Sequence, residues 1–211
     1  MIVVPFPSGP LQTNAYIVAC SLTRQCAIVD PAPQSASTLI HYISQHQLHP
    51  TKILLTHTHW DHIADVAKMI DEYAIPVSVH ADDAPNLEKP GSDGLPNFFP
   101  LKGIKPDVLL HGGEIIDVGQ LHFEVINTPG HTPGGVCFYE KQQGVLLSGD
   151  TLFKGTIGNI SFSTGEADRM WKSLDRLAKL PPETLVYPGH GPNTTIGTEN
   201  WLPRAKQIFG S

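Results

Sequence analysis

Cysteine is scarce in this chain: Cys20, Cys26 and Cys137 are the only three, with no Cys-x-x-Cys pair among them. An odd count at such spacings excludes a disulfide framework and a thiolate zinc knot. All three sit in apolar, strand-like runs, which predicts reduced, buried core thiols of a cytoplasmic protein. Long hydrophobic runs are missing as well, and none approaches the ~20 residues that a membrane helix needs. Met1-Ile2-Val3-Val4-Pro5 carries no basic residue and meets proline early, unlike a secretory leader. Positive charge is also short. Lys and Arg number 14 against 20 Asp and Glu, a net charge of −6, whereas sequence-independent nucleic-acid binding rests on cations that neutralise phosphates. No nucleic-acid partner and no membrane partner are expected.

What the chain does have is apolar content of 40% against 16% charged residues over 211 positions, enough for one large domain, 1–211, with a full core. Alternating and continuous apolar runs predict strands at 15–20 and 25–30, then at 53–55 and 76–80. A helix is predicted over 35–47. A second is predicted to open at Asp61, because Ile63, Val66, Ala67 and Ile70 fall on one helical stripe. Residues 81–106, rich in Pro, Gly, Asp and Asn, read as a long irregular flap. The later half is dense in strands, at 108–110, 114–118, 121–127, 136–140, 145–148 and 184–187, with a helix over 166–180. Two similar halves of strands and helices predict an α/β fold in which two sheets pack together with helices outside, a four-layer αβ/βα sandwich.

The densest chemistry lies in Thr56-His57-Thr58-His59-Trp60-Asp61-His62, directly after the apolar run 52–55. Folding does not call for three imidazoles and a carboxylate there. At the end of a buried strand they are candidate metal ligands. Three further strand ends each deliver one more: Pro129-Gly130-His131, Ser148-Gly149-Asp150 and Pro188-Gly189-His190. Imidazole and carboxylate donors without thiolate suit zinc, iron and manganese about equally. Asp61 also stands where a helix N-cap belongs, and Asp30, before Pro31, also fits an ordinary turn residue. His41, His46, His49, His80, His111 and His122 read as surface or satisfied core histidines.

These four segments, in this order, resemble the metallo-β-lactamase superfamily over essentially the whole chain. The resemblance implies two divalent metal ions per chain, zinc first and iron or manganese as alternatives. It gives one to His57, His59 and His131 and the second to Asp61, His62 and His190, with Asp150 bridging and Asp30 supporting the ligands from behind. Asp61 is the expected catalytic residue. Asp150 stands where metallo-β-lactamases that use a cysteine ligand place it, which points away from β-lactams.

Leu11-Gln12-Thr13-Asn14-Ala15-Tyr16, Gly149-Asp150-Thr151-Leu152-Phe153 and Gly189-His190-Gly191-Pro192-Asn193 are similar to short glyoxalase II-like hydrolases. The implied reaction is hydrolysis of a small-molecule thioester, S-lactoylglutathione or a relative, by a metal-bound hydroxide. Asn159 stands where that family places a lysine, and the chain ends soon after His190, so weak glutathione recognition is expected. An iron-dependent persulfide dioxygenase using His57, His131 and Asp150 alone, a lactonase, and a metal-binding scaffold without turnover are the alternatives.

Overall fold

The computed structural model describes residues 1–98 and 100–210. One six-stranded sheet has the order β1 (Ile2–Ser8), β2 (Thr13–Ala19), β3 (Gln25–Val29), β4 (His49–Leu54), β5 (Val77–His80), β6 (Val108–Leu110). Its first three strands are antiparallel and the rest parallel. The parallel crossovers carry α1 (Ala36–Gln45), then α2 (Trp60–Ile63) and α3 (Val66–Tyr73), then α4 (Ala84–Glu88). The later strands are β7 (Ile115–Val118), β8 (Leu121–Asn127), β9 (Val136–Glu140) and β10 (Val145–Gly149). The hairpin β11 (Leu152–Phe153) and β12 (Thr156–Ile157) follows, then α5 (Ala167–Leu177), β13 (Leu185–Pro188), β14 (Thr194–Thr195) and α6 (Ala205–Phe209). The second sheet runs β14-β13-β10-β9-β8-β7.

Strand β2 shows why the layers number four. It is buried from end to end, and its alternate side chains enter different cores. Ala15, Ile17 and Ala19 pack with Leu39, Ile43, Val66 and Met69 of α1 and α3. Tyr16 and Val18 point the other way, onto Phe123, Val125, Phe138 and Leu147 of the second sheet. A third core joins the far face of that sheet, through Cys137, Tyr139, Leu146 and Val186, to Met170, Trp171 and Leu174 of α5. Three apolar interfaces therefore stack helix, sheet, sheet and helix, as the period-two pattern of the strands demands. All three cysteines are free and buried.

Several elements differ from the sequence expectation. The helix predicted from Asp61 is two helices. Asp65, between them, spends its carboxylate on the Ala36 N–H (2.9 Å) and the Lys68 ammonium (2.7 Å). Asp61 lies inside the first turn of α2, whose N-cap is His59, and makes no cap hydrogen bond. The expected flap contains α4, which starts with a proline in its first turn. Phe99, in the aromatic stretch 97–100 of that flap, lies outside the described residues. Strand β1 was hidden by Pro5 and Pro7, which lack an N–H, yet an edge strand tolerates them.

Candidate metal centre

Parallel pairing of β3 with β4 sets Val29 beside Leu54, so the chain leaves both strands at one rim. Asp30 turns there with φ of 47°. Its carboxylate accepts from the Thr56 N–H at 2.8 Å, the Thr56 hydroxyl at 2.5 Å and His62 Nδ1 at 2.9 Å. With both oxygens so engaged, Asp30 fixes the ring of His62 and leaves Nε2 to face inward.

The other loops are fixed in the same manner. His131 Nδ1 donates to the carbonyl of Asn159 at 2.7 Å, leaving Nε2 3.5 Å from Asp150 Oδ2. His190 Nδ1 meets the carbonyl of Leu11 at 3.2 Å, leaving Nε2 3.4 Å from that same Asp150 oxygen and 3.3 Å from Asp61 Oδ2. The hydroxyl of Thr164 stands 3.3 Å from His59 Nε2. Asp61 Oδ2 accepts from Thr13 at 2.6 Å. Gly130 adopts a φ of 141°, and a Cβ there would strike the backbone of Met170, so the turn before His131 needs glycine.

All seven predicted ligands are thereby brought together. His57, His59 and His131 offer ligand atoms within 4.8 Å of one another, and so do Asp61, His62 and His190. Asp150 lies between the groups, with Oδ1 3.4 Å from His62 Nε2 and Oδ2 beside His131 and His190. Asp30, His57 and His62 form a third close group, but the Asp30 oxygens are already taken.

The electrostatics call for cations here. Burial depresses His57 and His131 below the usual histidine range and brings His59 down to about 3, so these rings are neutral. Burial opposes charge on His62 and His190 too, but the carboxylates of Asp61 and Asp150 outweigh it and raise both, His190 to about 9. Burial likewise opposes charge on Asp61, yet His62 and His190 hold it at about 2. The buried atoms His57 Nε2, His62 Nε2, His131 Nε2 and Asp150 Oδ1 have no hydrogen bond. Four such atoms around one point are costly unless something binds them. Their donor chemistry fits divalent metal ions.

A profile of the Metallo-beta-lactamase superfamily matches residues 8–190. The chain belongs to that superfamily. It is 37% identical over 199 residues to a probable metallo-hydrolase of Bacillus subtilis, covering 92% of each chain. It is 31% identical over 202 residues to the hydroxyacylglutathione hydrolase GloC of Haemophilus influenzae, covering 90% of this chain and 92% of that one. Among solved structures, it superposes on BLEG-1, described as a B3 metallo-beta-lactamase, with a TM-score of 0.87 and 38% identity, covering 96% and 100% of the two chains. TTHA1623, solved in a di-iron-bound form, gives 0.81 and 37%, covering 93% and 96%.

Apart from Asp30, sequence reasoning missed the residues behind the proposed ligands. Thr13 lies in a segment singled out by resemblance, though not for its hold on Asp61. Thr164, Asp83 and Asn86 gave no signal, since each acts through contacts with distant parts of the chain. His80 is a satisfied core histidine, bonded to the Asp82 N–H at 3.1 Å and beside Asn127 Nδ2 at 3.2 Å. His122 is a surface residue paired with Asp117.

Proposed function

We propose that this protein is a binuclear metal-dependent hydrolase of thioesters. His57, His59 and His131 would hold one ion and Asp61, His62 and His190 the other, with Asp150 placed to contact both. The observation that carries this reading is the pair of three-residue groups meeting at a buried carboxylate, with four polar atoms left unsatisfied. Two ions so held supply Lewis acidity toward a carbonyl and a water of lowered pKa. The donor set suits zinc, and it suits iron equally. The di-iron form of a 37% identical relative supports iron beside zinc.

The chain's own residues do the rest. Thr13, His62 and His190 all approach Oδ2 of Asp61. Its other oxygen remains to accept a hydrogen bond from the attacking water and to aim it at the carbonyl carbon. Water's oxygen bonds to that carbon as one of its protons passes to Asp61 and on to solvent, the C–S bond breaks with its electron pair on sulfur, and the products are a carboxylic acid, a thiolate and that proton. A thiol of pKa ~8.5 leaves without a general acid, which agrees with a site that positions none. The likeness to GloC supports thioesters as the substrate class.

A second reading, β-lactam hydrolysis, is favoured by the 38% identity to BLEG-1. Against it, Cys137 is buried against Thr128 and the carbonyl of Ser148 and offers no thiolate ligand, and Asp150 stands in that ligand's place. The deciding experiment is elemental analysis of natively purified protein, followed by steady-state kinetics on thioesters and on a penicillin and a carbapenem. Two metals per chain with thioester turnover support the proposal. Metal stoichiometry near zero, or β-lactam turnover without thioester turnover, sinks it.

A further inference from the structure

Beside the metal-ligand groups opens a cavity of about 230 Å³, and its walls say what lies in it. Five of its lining residues, Leu11, Trp60, Leu95, Phe153 and Phe162, are apolar or aromatic. The phenylalanines flank the two groups separately: Phe162 lies 5.8 Å from the ring of His59 and 6.0 Å from that of His131, and Phe153 lies 5.9 Å from that of His190. Leu11 and Phe162 expose 52% and 39% of their surface. That is a cost for large apolar side chains unless a ligand covers them.

Charge points the same way. Among the described residues, no lysine or arginine lines the cavity. A recess of about 150 Å³ that also borders His59 is lined by Asp82, Asp83 and Asp93, again without a lysine or arginine among the described residues. Asn159 lines the cavity with an uncharged amide, held in place by its Oδ1, which accepts from the N–H and hydroxyl of Ser161 at 2.8 and 2.7 Å. Away from the residues proposed to face the ions, an anionic arm therefore meets no cationic side chain among the described residues of the lining. An apolar arm meets aromatic walls, and burying it is favoured in proportion to its area. An enclosed cavity of ~150 Å³ accepts benzene, so the sheltered part of this cleft holds a group somewhat larger than a single aromatic ring, with the rest of a ligand extending through its open side.

Resting on the thioesterase reading, we propose that the substrate is an uncharged thioester whose acyl group is apolar, on the scale of hexanoyl or phenylacetyl. Phe162, Phe153 and Leu95 are its specificity-determining residues. This binding is remote from the reacting carbon and equal in ground and transition states, so it acts on KM more than on kcat.

The test uses metal-replete protein and thioesters of N-acetylcysteamine, a neutral thiol, carrying hexanoyl, phenylacetyl, acetyl or succinyl groups, with S-lactoylglutathione alongside. Hexanoyl and phenylacetyl esters should exceed the succinyl ester at least tenfold in kcat/KM. Phe162→Ala should raise KM for hexanoyl several-fold and leave acetyl nearly unchanged. Leu95→Arg should lower KM for succinyl. Lys154→Ala should change nothing, because Lys154 follows Phe153 in the chain but does not line the cavity. A binding readout independent of turnover is Trp60 fluorescence of the metal-free protein titrated with S-hexyl-N-acetylcysteamine, an inert thioether, with Trp60→Phe as control. Equal or better turnover of the succinyl or glutathione ester, or loss of it in Lys154→Ala, overturns the inference while leaving the thioesterase reading intact. Binding of the thioether without turnover of any thioester overturns that reading instead.

Discussion

The side-chain amide of Asn86 donates to the main-chain carbonyl of Thr58 at 2.7 Å, and Thr58 is the residue between His57 and His59. Asp83, three positions earlier, accepts from the N–H of Thr58 at 3.1 Å and from that of Gly134 at 2.7 Å. The start of α4 thus ties together the loops that carry three of the proposed ligands.

Replacing Asn86 by alanine strands the Thr58 carbonyl and releases the turn at Gly91 and Asp93, which bonds to the same amide. We expect a loss of about 1–3 kcal/mol in chemical denaturation, the usual cost of an unsatisfied buried group. Affinity in the group of His57, His59 and His131 should fall while the other group holds. Metal titration with a chelator as competitor reads both.

Asp83 is pushed up to about 6 by burial, against the hydrogen bonds that favour its charge. The folded state therefore holds its proton more tightly than the unfolded chain, whose carboxyl titrates near the ordinary aspartate value of 3.8. The resulting stability is fully present below pH ~4 and is lost as pH rises through about 6. Metal-free protein should show that falling limb in denaturation curves, and Asp83→Asn should flatten it. An unchanged slope in the variant would exclude Asp83 as its source.

Asp30→Ala removes three acceptor contacts at once and frees the ring of His62. Metal affinity should drop by roughly 10- to 100-fold, the usual effect of losing a partner behind a ligand, with the fold retained by circular dichroism. Full affinity in this variant would mean that His62 is aimed by other groups.

Asp150→Asn should cost more metal than any single histidine change, because the residue touches both groups. His131→Ala should empty mainly one site and His190→Ala mainly the other. Elemental analysis per chain distinguishes these outcomes.

Gly189→Ala isolates the ligands from the backbone. The glycine is not in the left-handed region, so alanine strains no torsion, but the added Cβ would press on Asp150 Oδ1 and come within 2.8 Å of His62 Cε1. A folded protein with depleted metal is expected from spectroscopy and elemental analysis together.

The proposed ligands, which the fold brings together, stood out in the sequence because each follows a strand end and belongs to a residue type that a core does not call for. The strand alternation likewise exposed the two sheets, as in Ala15 to Ala19. What stayed hidden is what depends on distant partners. Asp65 breaks a continuous helical stripe because Ala36 and Lys68 claim its carboxylate, and no local pattern records that. Pro5 and Pro7 spoke against a strand until an edge position made their missing N–H groups harmless. Asp83 and Asn86 looked like loop polarity within 81–106, yet both are buried and hold the ligand loops.

Strand β2 of the first sheet reaches the His190 loop of the second. Thr13 forms a bridge with His190, Asn14 donates to the carbonyls of Pro188 and Gly191, and Tyr16 donates to Pro188 at 2.6 Å. During synthesis, therefore, the earliest donors leave the ribosome well before the last one exists. His57, His59 and His62 are made long before His190, and the proposed group of Asp61, His62 and His190 is complete only once the final loop docks onto β2.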